Sequence, residues 1–459
     1  RPGGAGRRSK GAMGAAGGPG GATWGGGRAA FATNARWPEP QRWCARAVRA
    51  ARRPAPPAGG GEGSDSEGEG GVEVGETLAP LLLHAALRGD AEEVASLLQG
   101  GAPVEARVRS SGATALALAA AAGHRDVVEL LLQSGASAGA RDGAGATALC
   151  VAALRGQLGA VEALVESQPP GAREALLEVC THGGETALLG AVKAGHVEVV
   201  KYLLGQGADR AAAADSLGGV GAVGLACRKN RVDAALFLLG RHEEDLEAAD
   251  AQGMRPLMHA CCSGSATMVG ALLALAPPPE LEAQDAKGMT ALLHAGLSGS
   301  AGLVQLLVRK GCKLEARDAA GNGLAWYVAA SGSSEALAWL LKREMGFLNA
   351  RNRKGRTPIF AAVKCRRPEA VREMIALGCS LEVRDDQGWT PLAWSAVNGL
   401  EDMADLLVGL GADLRAVDND GHVPRQIAEG MGHRKTASLL AARAKQILTR
   451  LDGAEWERR

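Results

Sequence analysis

Aromatic side chains are scarce: four phenylalanines, two tyrosines and eight tryptophans amount to 3% of 459 residues. A core built on large rings is thereby excluded, and alanine and leucine must do the packing. Long apolar runs are missing too. The longest, near Thr114–Ala122 and Met268–Ala276, reach about half of the roughly 18 residues a membrane-spanning helix needs. Net charge is only +1, which excludes a chain held on nucleic acid by bulk charge and points to no partner. Nine cysteines are present, but an odd number inside helix-like segments argues against a disulfide framework. No Cys-x-x-Cys pair offers zinc spacing, and adjacent Cys261 and Cys262 beside His259 are not a ligand pattern, so no metal is expected. A reducing, cytoplasmic location is the expectation.

Catalytic signatures are absent as well. The chain has no G-x-x-x-x-G-K-S/T loop, no kinase catalytic loop, no His-Glu-x-x-His and no Gly-x-Ser-x-Gly. A non-enzyme without a cofactor is therefore expected.

What charge there is lies at the beginning. Residues 1–57 hold ten arginines and Lys10 against Glu39, in a matrix of Gly, Ala and Pro that cannot bury a core. This basic segment reads as disordered, with an organelle transit peptide or a nucleic-acid or membrane-surface arm as the other readings. Ser9 is its only serine and its apolar residues show no amphipathic period, both against a transit peptide. Nuclear or organellar residence goes with those alternatives. Residues 58–77 form an acidic, Gly-rich linker in which Ser64 and Ser66 precede acids, a context for phosphorylation by an acid-directed kinase. Because the chain opens on Arg1, a catalytic domain upstream is the rival expectation.

From residue 78 to about 452 one pattern recurs. A turn glycine followed by x-Thr-x-Leu appears at Gly112, Gly145, Gly184, Gly288 and Gly388, with close variants at Gly253 and Gly355 and loose matches at Gly221, Gly321 and Gly421. Successive glycines are 33, 39, 37, 32, 35, 33, 34, 33 and 33 residues apart. The long intervals place insertions at Ser167-Gln-Pro-Pro-Gly and around Ala211–Gly221. Within a unit, Val127, Val128, Leu130, Leu131 and Leu132 mark one face of a second helix, and a glycine closes it. One unit cannot bury that face alone, whereas stacked neighbours can. Thr114-Ala-Leu-Ala-Leu-Ala-Ala-Ala-Ala-Gly-His124 with Asp126-Val-Val-Glu-Leu-Leu-Leu-Gln-Ser-Gly-Ala136, and Ala194-Gly-His through Gly-Ala-Asp209, resemble the ankyrin repeat almost whole. With an opening unit at Pro80–Gly89 the resemblance covers about eleven units. It implies an all-α solenoid of stacked helix-turn-helix units with β-turn tips. Residues 453–459 are left as a C-terminal tail.

The resemblance also implies a monomeric scaffold or adaptor that binds another protein through its turn tips and concave inner-helix surface, nucleic acid not being the expected partner. Residues after the turn glycines change along the chain, from Ala113 and Ala146 to Met254, Met289, Asn322, Arg356, Trp389 and His422. That second half is the expected contact row, joined by Lys364, Arg366, Val397 and Asn398 on the inner helices. Trp389 beside Arg356 reads as an exposed anchor pair whose removal would spare stability. Where the family commonly carries Asn, the chain mostly carries Glu, as at Glu105, Glu247, Glu282, Glu315 and Glu382. His259 and His294 fall at one place in consecutive units, where a packed, hydrogen-bonded ring is the expectation.

Overall fold

A computed structural model describes residues 70–210, 218–343 and 345–456. The basic segment, most of the acidic linker with Ser64 and Ser66, and most of the second insertion lie outside these residues. Among the described residues the secondary structure is helical, with one isolated bridge between Arg107 and Thr114 and no strand. The first helix, Gly70–Arg88, starts inside the segment expected to be linker, and the last, Arg434–Trp456, runs into the expected tail.

Four units start where a threonine hydroxyl accepts from a backbone N–H that has no helical partner. Thr114 in extended conformation accepts from the Ala117 N–H at 3.2 Å, and Thr147, Thr186 and Thr390 repeat the cap. A short first helix follows, such as Ala115–Ala122, and it stops at Gly123, whose φ of 85° is left-handed. That conformation favours glycine, and a Cβ there would also displace the Gln157 side chain of the next unit, 2.3 Å away. The second helix, Arg125–Gln133, buries Val127, Val128 and Leu131, each fully enclosed. Burial of one such side chain stabilises by about 1.5–3 kcal/mol.

First helices pack on first helices and second on second, unit after unit: Ala115–Ala122 contacts Ala148–Arg155, and Arg125–Gln133 contacts Leu158–Glu166. Alanines at Ala115, Ala117, Ala119 and Ala120 are buried and let the first helices approach closely, which is how a chain poor in aromatics fills its core. At Ser167-Gln-Pro-Pro-Gly the insertion forms a helix of its own, Pro170–Leu177, which buries Leu176 and Leu177.

Three rows of hydrogen bonds lock neighbours together. Open carbonyls at the end of a first helix accept from the next unit: His124 Nε2 donates to the Leu87 carbonyl at 3.1 Å, Arg367 Nε to Ala330 at 3.0 Å and His433 Nε2 to Val397 at 3.0 Å. The glutamates that replace family asparagines reach forward. Glu105 accepts from the Ser137 N–H, Glu247 from Glu280, Glu282 from Lys313 and Glu382 from Asp413, all at 2.7–2.9 Å. Arginines form the third row, Arg317 donating to the Arg351 carbonyl at 2.9 Å, Arg351 to Arg384 at 3.0 Å and Arg384 to Val417 at 2.7 Å. A solenoid whose units are individually unstable gains its stability at such interfaces.

Candidate functional site: the turn row of the second half

Three residues before the turn glycine an acid or amide recurs: Asp250, Asp285, Asp318, Asn352, Asp385 and Asp418. One side-chain oxygen always has the same task. Asp385 Oδ1 accepts from the Gln387 and Trp389 N–H groups at 3.0 and 2.9 Å, and the equivalent oxygens of the other five do likewise for their own turns. Short polar side chains favour this local closure of a turn.

The second oxygen is free to take a different partner, and the partner changes along the chain. Asp250 Oδ2 receives His259 Nε2 at 3.1 Å and Asp285 Oδ2 receives His294 Nε2 at 3.0 Å, both within one unit. Asp318 Oδ2 accepts from the Tyr327 hydroxyl at 2.5 Å and from Asn322 Nδ2 at 2.8 Å. Burial drives the Tyr327 hydroxyl pKa up, and the bond to Asp318 adds to it. Further along, the bonds cross between units. Asn352 Nδ2 donates to Asn322 Oδ1 at 2.8 Å, Arg356 Nε to Asp385 Oδ2 at 2.9 Å, and Trp389 Nε1 to Asp418 Oδ2 at 3.4 Å.

Around Arg356 these contacts become a stack. Its guanidinium carbon lies 3.8 Å from the centre of the Trp394 ring, and Trp394 meets Trp389 with centroids 5.7 Å apart and planes tilted by 40°. Cation, ring and ring are thus fixed in order, with a buried carboxylate (side chain 1% exposed) behind the cation.

The expected contact row is therefore corrected at several positions. Met289 is 1% exposed and Asn322 9%, so neither offers a surface to a partner. Arg356 is 13% exposed in its side chain and ion-paired, and Trp389 is half-buried, which removes the free anchor pair. Asn322, Arg356 and Trp389 instead bridge neighbouring units, a role spacing alone does not show. Of the nearby aromatics, Trp326, Trp339 and Trp394 are half-buried and Tyr327 is buried. On the surface are Lys364, Arg366, Asn398 and His422, with Met254 and Val397 half-exposed.

Arg366 stands apart in its backbone. Its φ of 53° lies in the left-handed region, at the place where Gly123, Gly264, Gly299, Gly332 and Gly399 end their first helices; Asn230 is the other non-glycine there. Lys364 and Arg366 end the helix Pro358–Lys364, and Val397 and Asn398 end the next first helix, Pro391–Val397. The helices Pro358–Lys364 and Pro391–Val397 pack on each other, and Val397 follows Trp394 by about one helical turn.

Metal and small-molecule chemistry find little to work with. Asp418, Asp420 and His422 bring ligand atoms within 4.8 Å of one another on an exposed turn. Both Asp418 oxygens already accept protein N–H groups. A partly open pocket lined by Leu314, Trp326 and Phe347 measures about 30 Å³, room for a water molecule. No helix among the described residues is long and apolar enough to cross a membrane.

Comparison with known proteins agrees with this geometry. The family model described as ankyrin repeats (3 copies) matches four stretches, residues 71–142, 135–214, 223–318 and 325–418. Mouse protein phosphatase 1 regulatory subunit 27 is 29% identical over 98 residues, 21% of this chain and 64% of its own length. Human ankyrin repeat domain-containing protein 63 is 39% identical over 113 residues, 24% of this chain and 30% of its own. Human NF-kappa-B inhibitor alpha is 29% identical over 108 residues, 22% of this chain and 34% of its own. The chain thus spans less than two thirds of the length of each.

Proposed function

The chain belongs to the ankyrin-repeat family, and from that premise we propose that it is a non-catalytic scaffold or adaptor for another protein. Names of its relatives, a regulatory subunit and an inhibitor, support a protein-interaction role of this kind. The proposed docking face runs over the first-helix ends at Lys364, Arg366, Val397 and Asn398 and the adjoining Trp394–Trp389 stack, with Met254 and His422 toward its margins. A partner segment matching it has an apolar side chain for the rings and acidic side chains for the two cations.

One observation carries this reading. Arg366 holds an exposed cation on a left-handed backbone where most units use glycine. Such a conformation disfavours a side chain by about 1–2 kcal/mol, and strain of this sort collects at functional surfaces. The test places a photo-crosslinker at Val397 and, as control, at Gln133 on a second helix, in cells. Adducts specific to Val397 that vanish with Lys364→Glu/Arg366→Glu support the face. Adducts that persist through the charge reversal, or that form equally from Gln133, refute it.

A second reading, a regulatory or targeting arm of an enzyme assembly, is favoured by the match to a phosphatase regulatory subunit. It predicts that the purified array changes the rate of a bound phosphatase catalytic subunit. Saturating array with no change in rate and no binding refutes that version.

A further inference from the structure

Cys262 differs from every other described cysteine in its setting. It is exposed, whereas Cys150, Cys227, Cys261, Cys312 and Cys379 are buried and Cys180 and Cys365 are half-covered. Its sulfur lies 3.3 Å from Nδ1 of His294, which comes from the first helix of the next unit, Ala291–Ser298. The other ring nitrogen of His294 faces Asp285 Oδ2 at 3.0 Å. A carboxylate can only accept, so the Nε2 proton is fixed and Nδ1 is left as the group that takes or shares the thiol proton. Thiol, imidazole and carboxylate thereby stand in the order of an activated nucleophile, with the imidazole and carboxylate buried and the sulfur at the surface.

His259, one position earlier in the array, is the internal comparison. It has the same bond to its own turn aspartate but no thiol against its other nitrogen. Burial lowers its pKa to about 4, with Arg228 and His294 pushing the same way against Asp250. Burial also opposes charge on His294, yet the hydrogen bonds to Asp285 and Cys262 outweigh it and raise its pKa to about 9. The charged and titratable groups around this cluster are Cys261 beside Cys262, the His259–Asp250 pair of the preceding unit, with Arg228 against His259, and the Tyr327–Asp318 pair of the following unit. Carbonyls at the end of the helix Pro256–Ser263 work against an anion on Cys262, so an imidazolium is needed to hold one.

We propose that Cys262 is a covalent modification site for small soft electrophiles of the α,β-unsaturated carbonyl class, with His294 as its base and Asp285 as the residue positioning that base. Sulfur gives up its proton to His294 Nδ1 and attacks the β-carbon. A C–S bond forms, the π pair moves to the carbonyl as an enolate, and the α-carbon recovers the proton from the imidazolium. The product is a thioether, His294 returns to neutral, and no oxidant or leaving group is involved.

N-ethylmaleimide, an unsaturated dicarbonyl, is the probe, applied to the full chain with adducts resolved by peptide mass spectrometry. Between pH 8 and pH 6 the rate at Cys365, which has no imidazole partner, falls about tenfold per unit, while the rate at Cys262 falls about threefold or less in total. His294→Gln gives Cys262 the slope of Cys365, a fall of about a hundredfold between pH 8 and pH 6. Asp285→Asn, which keeps the turn bonds as Asn352 does in its own unit, steepens the Cys262 profile while leaving Cys365 unchanged. Identical pH profiles for Cys262 and Cys365 in the unmodified protein overturn the proposal, and that comparison needs no variant to fold. So does a Cys262 profile unmoved by His294→Gln in a protein that keeps its helical circular dichroism.

Discussion

Asp385 carries the second-half turn row, and replacing it separates its two roles. Its Oδ1 closes the turn through two N–H bonds, and its Oδ2 holds Arg356 against Trp394. Asp385→Asn retains the first role, as Asn352 demonstrates with bonds of 2.9 and 3.0 Å from its own turn. What it loses is one charge-assisted bond, about 1.5–3 kcal/mol. Asp385→Ala loses the turn bonds as well, about 1 kcal/mol each. It also leaves a largely buried guanidinium without its anion, so the total rises to about 3–5 kcal/mol. Arg356→Ala combined with Asp385→Asn should then fall short of additivity by about 1–3 kcal/mol, because both remove one pair. Arrays unfold in parts, so urea melts are best accompanied by hydrogen exchange at the Gln387 and Trp389 amides. Those amides should lose protection in Asp385→Ala and keep it in Asp385→Asn. Equal losses in the two variants, or additivity within about 0.5 kcal/mol, would refute the division of labour.

Leu131→Ala and Leu407→Ala each empty a fully buried site and should destabilise by about 2–5 kcal/mol in urea unfolding, a neutral result being incompatible with the register described. Arg366→Gly should raise stability by about 1 kcal/mol while Arg366→Ala does not, since only glycine relieves the left-handed backbone; equal effects would dismiss strain as the cause. The two histidines predict a stability maximum near pH 6.5, read from thermal melts across pH. His294, raised to about 9, stabilises fully below its ordinary 6.5 and loses that as pH climbs through 9. His259, lowered to about 4, stays neutral in the fold while the unfolded chain takes up a proton, so stability drops as pH falls from 6.5 through 4. Each limb is worth up to about 3 kcal/mol, and His294→Gln and His259→Gln should flatten the alkaline and acid limbs respectively.

The fold was legible because its determinants are local and repeat. Thr114 before an alanine-rich helix, Gly123 after it and Leu131 on the next face state cap, stop and core within about twenty residues, and the 33-residue recurrence multiplies the signal. Glutamates at Glu105 and Glu282 were visible as departures, but not that they reach the next unit's backbone. The site was less legible for the same reason. Met289 and Trp389 occupy equivalent places in their units, yet one is enclosed and the other half-covered, which depends on what the neighbouring turn presents. The Cys262–His294 contact spans 32 residues and two units, so neither unit's sequence announces it. The column three places before the turn glycines from Gly253 to Gly421, aspartate except at Asn352, was the missed signal that the sequence did contain.

That aspartate column also explains how one scaffold carries different chemistry along its length. Oδ1 is committed to the backbone turn and keeps the turns from Asp250 to Asp418 alike. Oδ2 is not, and it accepts whatever the adjacent positions supply: an imidazole at His259 and His294, a phenol at Tyr327, a guanidinium at Arg356, an indole at Trp389. Up to Tyr327 these partners come mainly from the same unit's first helix, which buries the aspartate and tunes a titratable ring. From Arg356 onward they come from the preceding turn, which fastens two units together and holds a pair of tryptophans at the edge of the inner-helix face. Substitution at these places changes surface chemistry without disturbing the turn, so binding and reactivity can differ between the histidine and tryptophan sections while the solenoid stays the same.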